Sequence, residues 1–247
     1  MRSSTRHQLK TDEFRATTVE TLDWAAENQS TLITAAVVVA VILAVVIGGW
    51  TYVNYRNQQG RGMLSSAIDK YNAPIRPAGQ PATPDQLSYA SGAERAKAAN
   101  AEFAQVAQKY SFTQSGRIAH YFEGITLRDM GDTAGAEKQL NEVASSWDKN
   151  MAGLAKLALA GLYANANQTA KAIDLYKQLI DHPSNSVGKW TPQFELADLY
   201  QANNQPQDAR KLYEQLQKES PTSPIGQAAT QKLQALGPAP AAQPTPR

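Results

Sequence analysis

GITLRDMGDTAGAEKQL (124–140), AGLYANANQTAKAIDLY (160–176) and ADLYQANNQPQDARKLY (197–213) are three versions of one pattern. Each opens on a small residue (Gly124, Ala160, Ala197) and reaches a bulky apolar one three positions later (Leu127, Tyr163, Tyr200). A Gly or Asn follows (Gly131, Asn167, Asn204), then Ala (Ala136, Ala172, Ala209), then a second bulky residue (Leu140, Tyr176, Tyr213). Spacings of three and four put side chains on one face of a helix. Gly and Asn tolerate the left-handed backbone that ends one. The pattern therefore predicts two helices joined by a tight turn, with the small residues letting them approach and the bulky ones filling the space beside them. The copies recur after 36 and 37 residues. A lone hairpin cannot bury its apolar face, so successive copies have to stack on one another.

Working outward, three full repeats fall near 116–148, 153–185 and 190–221, the last closed by Pro221. Ala99 and Phe103 fit the second half of an earlier, partial copy, and PIGQAATQKLQAL (224–236) reads as a final helix capping the stack. This spacing resembles the tetratricopeptide repeat, a helical hairpin of about 34 residues. The expected fold is all-α: a single transmembrane helix followed by a superhelix of antiparallel helical hairpins. Such stacks bind through the concave face made by the first helix of each hairpin. Here that face is expected to present Ile118, Tyr121, Ile125 and Arg128, then Leu154, Leu157 and Asn165, then Thr191, Phe194, Asp198 and Gln201. Some repeat proteins clamp a terminal carboxylate with cations on this face. The corresponding positions here, Tyr121, Ile125, Ala158, Thr191 and Glu195, carry none, which disfavours that use. An apolar peptide or helix suits the groove better. The alternative occupant is the chain's own helix around Met63, Leu64, Ile68 and Tyr71.

The membrane segment is LITAAVVVAVILAVVIGGWTYV (32–53), 22 residues without a charge. About 20 residues of helix cross a bilayer core, and Trp50, Tyr52 and Tyr55 sit where aromatic rings favour the headgroup boundary. The organisation reads as an acidic, amphipathic segment 1–31, a transmembrane helix 32–55, a juxtamembrane helix and Pro-rich linker 56–92, the repeat domain 93–236, and a Pro/Ala tail 237–247 expected to be disordered. Ala36, Ala40, Ala44 and Gly48 recur every fourth residue, a stripe that lets membrane helices pack closely. Phe14, Val19, Leu22, Ala25 and Ala26 share one face ahead of the span. Arg56, Arg61 and Lys70 after it outnumber Arg15 before it, a balance that leans toward a cytoplasmic repeat domain.

Other chemistry is sparse. With no Cys there are no disulfides, thiolate sites or thiol nucleophiles. Twenty-four basic against 22 acidic residues lack the excess of a nucleic-acid face. The glycines of GITLRDMGDTAG have neither the spacing nor the Lys of a phosphate loop. His7, His120 and His182 stand apart, with only Glu123 near His120 in sequence, too few donors for a metal. No Ser sits in a nucleophile elbow. Asp129 and Asp132 read as solvated charges at a hairpin tip. The expectation is a noncatalytic protein without cofactor, metal or small-molecule substrate.

The run ETLDWAAENQSTLITAAVVVAVILAVVIGGWTYVNYRNQQ (20–59), followed by repeats from Ala93 to Leu236, resembles the YfgM-like ancillary subunit of the Sec translocon. That resemblance implies a bacterial inner-membrane protein with its N-terminus in the cytoplasm and its repeats in the periplasm. It also implies two partners: the SecYEG channel and a membrane-anchored periplasmic chaperone of the prolyl-isomerase type. The implied role is a scaffold passing exported proteins from channel to chaperones. The Pro-rich insertion from Asn72 to Gly92 is longer than the family pattern. Scaffolding an envelope-assembly or cell-division complex is the alternative, and a cytoplasmic regulatory subunit follows if the local charge balance decides orientation.

Overall fold

No charge interrupts the apolar run, and one helix, α1, passes through it from Gln29 to Asn72. The computed structural model describes Trp24, residues 28–83 and residues 86–237. The face expected from Phe14 to Ala26 and the tail from residue 238 lie outside the described residues. The chain divides into two compact units, with the break between Tyr55 and Arg56. In the first, α1 is apolar and long enough to cross a membrane, and its side chains are exposed throughout the span.

In the second unit the remaining helices follow as α2 (Gly92–Lys109), α3 (Gln114–Asp129), α4 (Thr133–Ala144), α5 (Lys149–Asn165), α6 (Thr169–Asp181), α7 (Trp190–Ala202), α8 (Pro206–Glu219) and α9 (Pro224–Ala235). Their ends are set locally. Ser91, Thr113, Asp132, Asp148 and Ser223 each accept a hydrogen bond from a first-turn amide of the helix they precede. Asp132 is exposed, as its hairpin-tip position suggests, and also caps α4. Gly131, Asn167 and Asn204 hold positive φ of 84°, 58° and 58° in the turns between α3 and α4, α5 and α6, and α7 and α8. Three hairpins result, with α9 against the last.

The small positions of the pattern are the points of closest approach. Ala136, Ala160, Ala172, Ala197 and Ala209 are fully buried. A Cβ on Gly124 would stand 2.7 Å from Leu140 Cγ. Leu140, Tyr176 and Tyr213 are buried beside them.

The partial copy is in fact a complete hairpin. Its second helix is α2, where Ala99 and Phe103 are fully buried, and its first helix is the end of α1. Leu64 and Ala67 enter the same core, with Met63, Ile68 and Tyr71 packed around it. Asn57 hydrogen-bonds to Ser115, and Tyr71 to Asp129. Both pairs are separated by 58 residues, so this part of α1 runs parallel to α3, as first helices of neighbouring repeats do. Met63 to Tyr71 therefore complete the stack at its N-terminal end instead of filling the concave groove. The Pro-rich connection that replaces the tight turn is pinned: Arg76 N donates to Tyr89 O at 2.8 Å, Tyr89 N donates to Pro74 O at 3.0 Å, and Ala73 is buried.

Candidate partner-binding groove

First helices lie side by side in the stack, so residues at i, i+3, i+4 and i+7 of each meet those of the next. Leu154, Leu157, Ala158 and Gly161 of α5 follow that spacing, and they form the floor of a pocket of about 270 Å³. Tyr121, Ile125 and Arg128 of α3 make one wall, and Tyr176 of α6 and Glu195 of α7 the other. Of the eleven residues the sequence assigns to the concave face, the structure brings five into this pocket: Tyr121, Ile125, Arg128, Leu154 and Leu157. Ile118 packs instead on the first-hairpin core, while Asn165 and Thr191 are exposed outside the pocket.

The C-terminal part of that face is occupied by the chain itself. Asp198 Oδ1 accepts from the Tyr213 hydroxyl and, at 2.5 Å, from Lys232 Nζ of α9. Gln201 Oε1 accepts from the same hydroxyl at 3.2 Å. Phe194 meets the Tyr213 ring edge-on with centroids 5.7 Å apart, and Lys232 Nζ lies 5.8 Å from the Phe194 ring. Phe194, Asp198 and Gln201 are therefore engaged by α8 and α9, and the open groove ends near Glu195.

Charge in the pocket is asymmetric. Arg128 is held by its neighbour, with Nη2 2.8 Å and Nε 3.1 Å from Asp129 Oδ1, while Asp129 Oδ2 accepts from Tyr71 Oη at 3.0 Å. Asp129 is thus exposed at the hairpin tip, as its position suggests, and also ties α1 to α3. No cation lies within ion-pair distance of Glu195 among the described residues. Partial burial, with Asp198 adding to it and Lys232 opposing, raises its carboxyl above the usual range. Burial likewise pushes up the hydroxyls of Tyr121 and Tyr176. The pocket is apolar with one unpaired acidic group at its edge. Glu195 stands among the clamp positions read from the sequence but not among the eleven groove residues, which take its neighbour Phe194, a side chain that packs on Tyr213 of α8 instead.

A larger cavity of about 580 Å³ opens between the second and third hairpins, lined by Lys149, Lys156, Gln178 and His182 among others. Its polar groups do not converge, since Lys156 Nζ is engaged by Gln178 Oε1 at 3.2 Å. His120 lies 3.6 Å from Glu123 and 3.3 Å from Gln139, and no group of three metal-capable donors occurs among the described residues. In the first unit Ala36, Ala40, Ala44 and Gly48 are all exposed on α1, and nothing lies within 4 Å of a Cβ built on Gly48.

A stack of helical hairpins with an open groove is the architecture of a protein–protein interaction scaffold. The profile described as tetratricopeptide repeat-like domain matches residues 23–238, and the chain belongs to that family. Among solved structures it is similar to the tetratricopeptide-like repeats of a kinesin light chain from Podosopora anserina. The identity is 19% and the TM-score 0.51, over 73% of this chain and 86% of that one. A single-substitution form of the same repeats gives 19% and 0.52, over 73% and 85%. At this identity the likeness concerns the fold. No curated protein matches.

Proposed function

We propose that the protein is a membrane-anchored scaffold of the YfgM-like type, associated with the SecYEG channel and passing exported chains to a membrane-anchored chaperone of the prolyl-isomerase class. The observation that carries this reading is the open apolar pocket of Tyr121, Ile125, Leu154 and Leu157 in a repeat unit joined by one continuous helix to an apolar span. In this reading α1 crosses the inner membrane with its N-terminus in the cytoplasm, and the repeats stand in the periplasm. The stripe Ala36, Ala40, Ala44 and Gly48 is the face offered to a channel helix. An extended or helical apolar segment of a client enters the groove, and Glu195 favours segments with a basic residue beside the apolar one. Anchoring acts by effective concentration: groove and client are held at one membrane, so weak binding suffices and no chemical step is required.

Photo-crosslinking tests it, with a benzophenone amino acid at Ala40 in the span and at Tyr121 in the pocket. Capture of a channel subunit from Ala40 and of exported chains or the chaperone from Tyr121 is the expected result. If neither position captures channel, chaperone or client in cells active in export, the translocon role is withdrawn. Capture of division or envelope-assembly components instead would establish the alternative.

A further inference from the structure

Phe112 and Trp147 are 89% and 81% exposed, the most exposed large apolar side chains of the repeat unit. They occupy the same place in successive repeats, each immediately before the N-cap residue of a first helix, Thr113 for α3 and Asp148 for α5. An apolar residue at that position ordinarily folds back onto the first turns of its helix as a staple. Neither does so here. Trp147 keeps its exposure even with the Arg117 guanidinium 4.9 Å from its ring. Two large rings thus project from the edge of the stack formed by the loops between hairpins.

Cations share this edge. Arg56 Cζ lies 4.8 Å and Lys109 Nζ 5.5 Å from the ring of Tyr110, two residues before Phe112, and Lys149 follows Trp147 by two residues. None of Arg56, Lys109 or Lys149 has a carboxylate within 4 Å among the described residues. On the acidic side, Asp148 is engaged by the amides of Asn150 and Met151 and by Arg117 at 3.7 Å, which leaves Glu142 in the last turn of α4 and Asp181 at the end of α6 as carboxylates without an ion pair toward this edge among the described residues. The same edge receives the chain from the apolar segment. Arg56 is the first residue of the repeat unit, its Nη2 donates to Lys109 O at 2.6 Å, and Tyr55, to which it is bonded, closes the span.

Aromatic rings and cations together are the signature of a surface that sits in lipid headgroups. Rings favour the boundary, and each cation near an anionic surface gains further from it. We propose that the inter-hairpin edge of the repeat unit rests on the headgroup layer of an anionic bilayer, with Phe112 and Trp147 as its anchors and Arg56, Lys109 and Lys149 facing lipid phosphates. A tether at Arg56 keeps this edge at high local concentration beside the membrane, so the contact needs little intrinsic affinity. The inference rests on residues 32–55 spanning a bilayer and is independent of the Sec assignment.

The test uses the full chain reconstituted in vesicles containing brominated phosphatidylcholine, with or without phosphatidylglycerol. One form keeps Trp147 alone (Trp24→Phe, Trp50→Phe, Trp190→Phe) and a second keeps Trp50 alone. Trp50 emission should be quenched in both lipid mixtures, reporting the span. Trp147 emission should be quenched several-fold more with phosphatidylglycerol than without, and high salt should reverse the difference. Quenching of Trp50 with Trp147 unquenched and emitting as in water overturns the lipid contact while leaving the span intact. An unquenched Trp50 removes the span and the proposal with it. Equal quenching of Trp147 in neutral vesicles overturns the role of the three cations. Protection of Trp147 only after purified channel is added would make the edge a protein contact instead.

Discussion

Asn57 caps a helix to which it does not belong: its Oδ1 accepts from Ser115 N at 3.0 Å and from Ser115 Oγ at 2.9 Å, both in the first turn of α3. First-turn amides have no partner within their own helix, so α3 obtains one from α1 across 58 residues of chain. Both residues are buried, so losing the bond leaves its donors unpaired. Asn57→Leu keeps the volume and removes the acceptor. The expected cost is about 1–3 kcal/mol, that of leaving buried donors unpaired. Thermal unfolding in detergent, followed by circular dichroism, should show a lower midpoint. Adding Ser115→Ala should recover part of it, because one unpaired group goes with the hydroxyl.

Gly124 and Gly161 give opposite responses to the same substitution. A methyl on Gly124 meets Leu140 Cγ at 2.7 Å and Cδ2 at 2.9 Å, so Gly124→Ala separates α3 from α4 and should destabilise by about 1–3 kcal/mol. Nothing lies within 4 Å of a methyl on Gly161 in α5. Gly161→Ala should stabilise by up to about 1 kcal/mol through helix propensity. Midpoints that move in the same direction would contradict the packing described here.

The turn positions were legible from residue type alone. Gly131, Asn167 and Asn204 are of the types that favour a left-handed backbone, and all three have positive φ. Asn167→Val should cost about 1–2 kcal/mol, the penalty of a side chain branched at Cβ in that conformation. Asn167→Gly should change stability little. Hydrogen exchange in the turn between α5 and α6 would localise the difference to this hairpin.

What the sequence concealed has a common cause in the first hairpin. Its two helices are joined by residues 73–91 instead of a tight turn, so the repeat spacing that ties Ala136 to Gly124 is lost between Ala99 and Ala67. The apolar run of the span also masks where the packed part of α1 begins, since periodicity does not distinguish Leu64 facing a core from Leu43 in the span. In the groove, helical spacing identified Leu154 and Leu157, which face the pocket in register. It failed for Phe194, Asp198 and Gln201, because a capping helix was expected but the face it covers depends on how Lys232 meets Asp198 in three dimensions.

His120 introduces a pH dependence of known sign. The Glu123 carboxylate raises its pKa above the ordinary 6.5, outweighing the burial that opposes it, with Gln139 and Glu142 adding to the rise. A raised folded-state pKa contributes stability that is complete below the ordinary value and is lost as pH rises through the folded one. The midpoint difference between the native chain and His120→Gln should therefore be largest in mildly acidic buffer and shrink toward weakly alkaline pH. Glu123→Gln should lower the His120 titration midpoint seen by NMR. An unchanged midpoint would mean the carboxylate, 3.6 Å from Nδ1, is not the cause.

Orientation is the prediction on which the export role depends, and the absence of Cys makes it directly accessible. Ala82 is exposed in the Pro-rich segment and has no special backbone demand, whereas Gly79 nearby has φ of +85° and would strain under a side chain. A single Cys at Ala82 should react with a membrane-impermeant maleimide in intact spheroplasts, as the periplasmic placement requires. Long domains translocate largely regardless of flanking charge, so the excess of Arg56, Arg61 and Lys70 does not oppose this outcome strongly. Labelling only after lysis would place the repeats in the cytoplasm. The groove would then face cytosolic partners, and the reading as a link between channel and periplasmic chaperones would fail whatever its affinity for apolar segments.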